Sequence, residues 1–327
     1  MTEGVIEDKN GQRTASWRQS GTRRILVTGG TVFASRFIAE YYAAQGAQVY
    51  VLNRGRHPQP QGVTLIKVDR QELGDTLRSY DFDAVLDVTA YTGADVRALL
   101  DALGGFREYV LISSSAVYPE TLPQPFSEEQ PVGENKYWGA YGLGKIEAER
   151  ELLKRVPHAY VLRPPYLYGP MNNVYREAFV FECAEAGRRF YLPRDGAMKL
   201  QFFHVADLCR CIDGVLSQHP AQQIFNVGND DVISVRGWVE QCYAVVGKTP
   251  ELVEVYSEEN QRKYFSFSDY EYRLDVTRQR ALIQTTVPLN EGLREAYTWY
   301  REHAQEVRRK DYIAYIDTAL MKALGEA

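Results

Sequence analysis

Tyr141 and Lys145 stand four residues apart in "YGLGK". On a helix that spacing puts both side chains on one face. A phenol with a pKa of about 10 is a poor base at neutral pH, and a nearby ammonium favours its phenolate form. The pair therefore suits a proton-transferring tyrosine with an electrostatic partner. Upstream, the apolar run "EYVLISSS" ends in Ser113, Ser114 and Ser115. A hydroxyl at the carboxyl edge of a parallel sheet lies where ligands bind. Ser114 could hold the same substrate oxygen that Tyr141 deprotonates. The catalytic candidates are Ser114, Tyr141 and Lys145. The plainer alternative is serines that cap a turn and a tyrosine packed on the sheet.

Such a set needs a sheet to hold it. Apolar runs and helical patterns alternate from residue 24 onward. Strands are expected over 24–28, 48–53, 63–68, 84–90, 108–115 and 159–164, with helices over 36–45, 94–103 and 141–155. This alternation predicts a parallel sheet covered on both faces, and right-handed crossovers favour a doubly wound one. After residue 165 the pattern loosens into helix 173–186, strand 199–205, helix 206–217, strand 224–228 and two closing helices near 290–303 and 309–324. The fold class expected is α/β, a Rossmann-like doubly wound parallel sheet with a smaller mixed C-terminal substrate lobe. Residues 1–22 read as a polar N-terminal arm, 23–165 as the sheet domain and 166–327 as the lobe, interleaved with it. Residues 256–273, rich in Tyr, Phe and charge, read as a substrate-covering loop or as a surface loop packing its own aromatics.

The first strand runs into "VTGGTVFASRF". A dinucleotide fingerprint places glycines at the tight turn, at the closest approach to the pyrophosphate and at the helix–strand contact. Gly29 keeps the first of these, while Val32 and Ser35 occupy the other two. Strand, Gly-Gly turn and helix start are in order, and backbone N–H groups at a helix N-terminus attract anions whatever the side chains. Gly29, Gly30, Thr31, Val32 and Phe33 are the candidate phosphate-binding residues of an NAD(P) site. Strand two ends in Asn53-Arg54 instead of an acid. Asn53 removes the charge that repels a 2′-phosphate and Arg54 can pair with one, which tilts the cofactor towards NADP over NAD. Asp69 is a candidate adenine contact or a cap on the next helix.

The bulk numbers exclude little. The 327 residues are 45% hydrophobic and 25% charged with a net charge of -5, ordinary for a globular protein. The charge gives no electrostatic reason to bind nucleic acid or an anionic membrane. Cys183, Cys209, Cys211 and Cys242 form no CxxC pair and no zinc spacing, so four free thiols in a reducing cytoplasm are expected, with no metal. No stretch approaches the ~20 apolar residues of a membrane span. The N-terminus has no apolar core of a signal peptide.

Several motifs together resemble the extended short-chain dehydrogenase/reductase superfamily, specifically its NAD-dependent epimerase/dehydratase family. They are "VTGGTVFAS", "ISSSAVYPE", "YGLGK", "LRPPYLYGP", "QFFHVADL", "FNVG" and "LNEGLREAYTWY", spread from about residue 24 to 303. The resemblance implies that Tyr141 is the acid/base, that Lys145 is its ribose-binding partner and that Ser114 is the catalytic hydroxyl. It implies that Val88, Thr89 and Ala90 line the cofactor, and that Arg163, Pro164, Pro165 and Tyr166 flank the nicotinamide pocket. Candidate substrate contacts are Ser115, Asn172, Asn173, Arg176 and Gln201. Gln201 stands where relatives have an arginine used on nucleotide-sugar phosphates, a departure for which Arg176, Arg194 or Arg273 could substitute. Ser115 and Ala116 replace the Asp-Glu of the sugar 4,6-dehydratases, which argues against 4,6-dehydration. His204 reads as a hydrogen-bonded structural histidine.

The function expected is an NAD(P)-dependent sugar or nucleotide-sugar epimerase using Tyr-assisted hydride transfer. The alternatives are an NADP-dependent dehydrogenase or reductase of a small carbonyl compound, and a non-catalytic dinucleotide-sensing or RNA-binding member of the fold. The partners expected are a small-molecule substrate and, as an alternative to a monomer, a second copy of the chain, since relatives dimerise through a bundle that includes the YxxxK helix.

Overall fold

The computed structural model describes residues 22–325, preceded by the backbone of Ile6–Glu7 and Arg13–Thr14, which pair antiparallel. The rest of the arm expected over 1–22 lies outside the described residues.

The first half of the chain runs β1 (Arg24–Thr28), α1 (Phe33–Ala44), β2 (Gln48–Asn53), β3 (Val63–Lys67), β4 (Asp81–Asp87), α2 (Gly93–Ala102), β5 (Gly105–Ile112), α3 (Gly139–Arg155) and β6 (Tyr160–Arg163). It continues as β7 (Tyr166–Tyr168), α4 (Glu177–Glu185), β8 (Phe190–Pro193), β9 (Lys199–Leu200), β10 (Phe202–His204) and α5 (Val205–Gln218). Then come β11 (Ile224–Asn226), β12 (Ile233–Ser234), α6 (Val235–Val246), β13 (Leu252–Val255) and α7 (Leu289–His303). Seven strands form one parallel sheet in the order β11-β6-β5-β4-β1-β2-β3. The order reverses between β1 and β4, so a crevice opens at the carboxyl ends of those strands. Gly29, Thr89 and the turn after β5 all sit at that edge.

The centre of the sheet is apolar on both faces because helices cover both. On one face Ile25, Val27, Val49 and Val51 meet Ile38, Ala39 and Tyr42 of α1 and Leu208, Ile212 and Val215 of α5. Asp213 joins the two helices by accepting the hydroxyls of Tyr41 and Tyr42, at 2.5 and 2.8 Å. On the other face Leu26, Val85 and Leu111 meet Val96 and Leu99 of α2 and Ala148 and Leu152 of α3. Thr92 and Asp95 fix the start of α2 with a reciprocal capping box.

The C-terminal half builds a separate core around Trp238, Phe202, Phe265 and Phe267. It also sends α5 and β11 back to the main sheet. Two strands end three residues earlier than the apolar runs predict, at Asp87 and Ile112. The reason is visible at β4: the amides of Val88 and Thr89 donate to the Thr28 hydroxyl, at 2.9 and 3.1 Å, instead of continuing the ladder. Those apolar residues form a buried turn that carries the site.

Candidate active site

The glycine turn comes first. Gly29 and Gly30 adopt φ of +90° and +82°. A Cβ on Gly30 would fall 2.4 Å from Val51 Cγ1, and one on Gly29 would fall 2.8 Å from Thr89 Cγ2. Both residues must be glycine for the chain to turn this close to the sheet. Val32 caps α1 with φ of -137°, extended backbone that a β-branched residue takes readily, so a glycine's freedom is not needed there. Ser35 is buried and its hydroxyl donates to the Val32 carbonyl at 2.9 Å. It is absorbed within the first turn, where relatives carry a glycine. Phe33 opens the helix at φ of +40°, and Thr31 lies half-buried before it. No side chain caps α1 and its first turn holds no acid. Its leading N–H groups therefore keep their preference for an anion. The residues present fit a dinucleotide's pyrophosphate.

At the end of β2 the Asn53 amide donates to the Gly29 carbonyl at 2.7 Å, and its oxygen accepts from Gly55 N at 2.8 Å. Asn53 thus braces the glycine turn. Arg54 is 54% exposed and only 3.9 Å from Asp69, a loose pairing. Asp69 caps a short helical turn through Gln71 N.

Ser114 follows β5 and accepts from Ala116 N at 3.2 Å. Tyr141 lies in the first turn of α3, with its ring 6.5 Å from Trp138 and 6.3 Å from Tyr91. Burial raises the Tyr141 pKa, and a side-chain hydrogen bond with Ser114 lowers it. The side chain nonetheless keeps 40% of its surface open, so a ligand has access to it. Lys145 is buried one turn on, where its ammonium donates to the carbonyls of Ala90 and Ile112 at 2.7 and 2.9 Å. That uses two of three donors and leaves one for a ligand. The ammonium lies 5.9 Å from the Tyr141 ring centre and 5.1 Å from that of Tyr91. The structure therefore brings Ser114, Tyr141 and Lys145 together.

Burial holds Lys145 down at about 8, against the opposing pull of Asp87 and Glu149. An unfolded lysine keeps its proton to about 10.4. Between these values the unfolded chain binds the extra proton, so this residue makes stability rise with pH there. The prediction is that wild type gains Tm relative to Lys145→Met as pH goes from 8 to 10. Parallel Tm profiles would show that Lys145 does not titrate in that window.

Two buried networks that sequence reasoning missed hold the site from below. Asp87 accepts a two-pronged pair from Arg70 at 2.6 and 2.7 Å, the Tyr109 hydroxyl at 2.6 Å and the Thr28 hydroxyl at 2.8 Å. Arg70 also reaches Thr89 Oγ1 at 3.3 Å. Glu149 accepts Arg163 at 2.5 and 2.9 Å and the Ser113 hydroxyl at 2.5 Å. Arg163 passes on to Tyr118, and Tyr118 to Asn226, at 2.8 Å each. The signal available beforehand was a charged residue inside each apolar run, Asp87 in β4 and Arg163 in β6.

The substrate-side candidates divide. Pro164 is buried and its carbonyl accepts Ser115 N at 3.0 Å, which ties β6 to the serine turn. Tyr166 stands near Trp138, Phe267 and Tyr272, and burial lifts its hydroxyl to about 12. The Arg176 guanidinium lies 5.5 Å over the Tyr166 ring and donates to Leu167 O at 3.0 Å. Ser115 is buried, with its side chain hydrogen-bonded to that of Tyr272. Gln201 is fully buried and committed to backbone, donating to Asn229 O at 2.7 Å and accepting from Leu274 N at 2.8 Å. Asn172 is buried against Glu177 at 2.6 Å, and the Asn173 carbonyl accepts Arg308 N at 2.9 Å. Gln201 and Asn172 therefore show no free polar group towards Tyr141. His204 is buried, accepts Ala206 N at 3.4 Å, and is held down at about 4 by burial.

A sequence model of the NAD dependent epimerase/dehydratase family matches residues 94–228, the stretch that carries Ser114, Tyr141 and Lys145. Over that stretch the chain resembles the family. The match begins after the glycine turn, the part of the chain with the two substituted positions. A structure of dTDP-glucose 4,6-dehydratase from Bacillus anthracis in complex with NAD superposes on this chain with a TM-score of 0.71 and 19% identity, over 88% of this chain and 99% of that one. A chloroplast stem-loop binding protein of 41 kDa from Arabidopsis thaliana is 28% identical over 85% of this chain and 79% of its own length. A dTDP-4-dehydro-6-deoxy-D-allose reductase from Streptomyces is 24% identical over 86% and 97% respectively. Among the described residues, no helix is long and apolar enough to cross a membrane, and no His/Cys/Asp/Glu group could hold a metal.

Proposed function

We propose that this chain is an NAD(P)-dependent epimerase of a sugar or nucleotide sugar. The observation that carries the reading is Tyr141 at the open end of α3 beside Ser114, with the buried Lys145 ammonium 5.9 Å from its ring centre. Gly29, Gly30, Thr31, Val32 and Phe33 would hold the pyrophosphate, Asn53, Arg54 and Asp69 the adenosine end, and Thr89, Ala90, Pro164 and Tyr166 the nicotinamide end. The nicotinamide, when bound, supplies the acceptor for a hydride. Ser114 orients the substrate hydroxyl and Tyr141 takes its proton. Lys145 stabilises the phenolate that Tyr141 must become. Loss of that proton and of hydride from the carbon would leave a ketone; hydride returned to the opposite face of that carbon, with the proton returned to its oxygen by Tyr141, would give the epimer. Release of the ketone instead makes a dehydrogenase.

Arg54, loosely held, suits a 2′-phosphate. Four buried free thiols suit the cytoplasm. Tyr91 and Leu143, exposed beside α2 and on α3, suit a homodimer through those helices. The test is nicotinamide fluorescence on protein stripped of bound nucleotide, titrated with NADPH and NADH. Both should bind, NADPH more tightly, and Arg54→Ala should narrow the gap. Binding of neither would sink the reading.

A second reading, a non-catalytic dinucleotide sensor or RNA-binding protein, is favoured by the stem-loop binding relative. The net charge of -5 opposes RNA. An RNA stem-loop retained in a gel shift at physiological salt, with a steep salt dependence, would favour it.

A further inference from the structure

Residues 256–273 do not form an open flap. Tyr264, Phe265, Phe267, Tyr270 and Tyr272 are all buried. Tyr272 is the member that reaches the site. Its ring stacks on Tyr270 at 5.4 Å, and Tyr270 stacks on Tyr137 at 4.5 Å. It meets Tyr166 at 5.5 Å. Its hydroxyl is tied to the side chain of Ser115, the residue after Ser114. Tyr272 also lines a cavity of about 180 Å3, with Gln124, Pro125, Lys199, Val232, Glu271 and Arg273. The cavity holds two cations, Lys199 and Arg273, and one carboxylate, Glu271, which accepts the Lys199 backbone N–H at 2.9 Å.

We propose that Tyr272 is a specificity-determining wall. It separates the compartment at Ser114 and Tyr141 from that cavity, and so limits the substrate to a compact sugar or carbonyl compound without a nucleotide tail. This rests on the reading of Ser114, Tyr141 and Lys145 as the reacting set. Three features make the wall firm: the ring is buried, it is stacked in a row of three aromatics, and its hydroxyl is tethered. A substrate that needed Lys199 or Arg273 would have to displace it.

The probe is UDP-glucose, titrated by calorimetry into wild type, Tyr272→Phe and Tyr272→Ala, with NADH titrated into the same samples. Cutting back the ring joins the two spaces. Tyr272→Ala should therefore bind UDP-glucose at least about ten-fold more tightly than wild type, a change of about 1.4 kcal/mol. Tyr272→Phe keeps the ring and should stay near wild type. Equal affinities in wild type and Tyr272→Ala, or an equal gain in Tyr272→Phe, would overturn the wall. If Tyr272→Ala does not fold, Tyr272→Leu makes the same comparison with an apolar side chain. NADH reads the proposed function separately. Its failure to bind any sample counts against that function, while the UDP-glucose comparison still decides the role of Tyr272.

Discussion

Tyr141→Phe should lower turnover by about 10²- to 10⁴-fold, the contribution of a positioned acid/base, and leave NAD(P)H affinity within about two-fold of wild type. The two halves come from different atoms. The hydroxyl that Ser114 bonds is lost, while the ring keeps its contacts with Trp138 and Tyr91. Lys145 stays on the carbonyls of Ala90 and Ile112, neither of which depends on Tyr141. A purely structural tyrosine would behave in the opposite way, with its loss showing in stability and little in rate. The measurement pairs steady-state turnover with nicotinamide fluorescence. Turnover within a few-fold of wild type would remove Tyr141 from the chemistry.

Glu149→Ala should be the most damaging change to the fold. The Glu149–Arg163 pair is buried, with both side chains 5% exposed or less. Removing one partner of such a pair strands the other's charge, at a cost of about 3–5 kcal/mol. The Ser113 hydroxyl would lose its acceptor as well. Whole domains are stable by only about 5–15 kcal/mol, so the loss should show as a large fall in the urea midpoint. Glu149→Gln keeps the shape and one acceptor and should fall between. A loss below about 1 kcal/mol for Glu149→Ala would mean that Arg163 finds another partner or reaches water.

The sheet was legible because its strands are continuous apolar runs separated by helical periods. The grouping of Ser114, Tyr141 and Lys145 was legible because Tyr141 and Lys145 sit at helix spacing after a serine-ended strand. Other parts depend on long-range contacts that no local pattern encodes. Helix α6 and the β8–β13 pair were not expected, since they take their order from packing around Trp238. Arg70 looked like any polar residue after β3, and only the fold sets it on Asp87. Gln201 was placed as a substrate contact because of what relatives carry there. Its burial between Asn229 and Leu274 appears only once the chain returns at residue 274. Val32 stands at a glycine position of the fingerprint, yet its backbone is one that valine adopts freely.

The brace at Asn53 bears on how coenzyme choice can drift in this lineage. The side chain that we propose selects the coenzyme is also the one that grips the Gly29 carbonyl through its N–H, with Gln59 as a second acceptor at 2.9 Å. A carboxylate there, the change that recruits a ribose diol, has no N–H to offer and would set an anion against that carbonyl. Preference and architecture are therefore inherited together. A switch of coenzyme has to begin elsewhere, at Arg54 or with a new anchor for the turn, before position 53 is free to change.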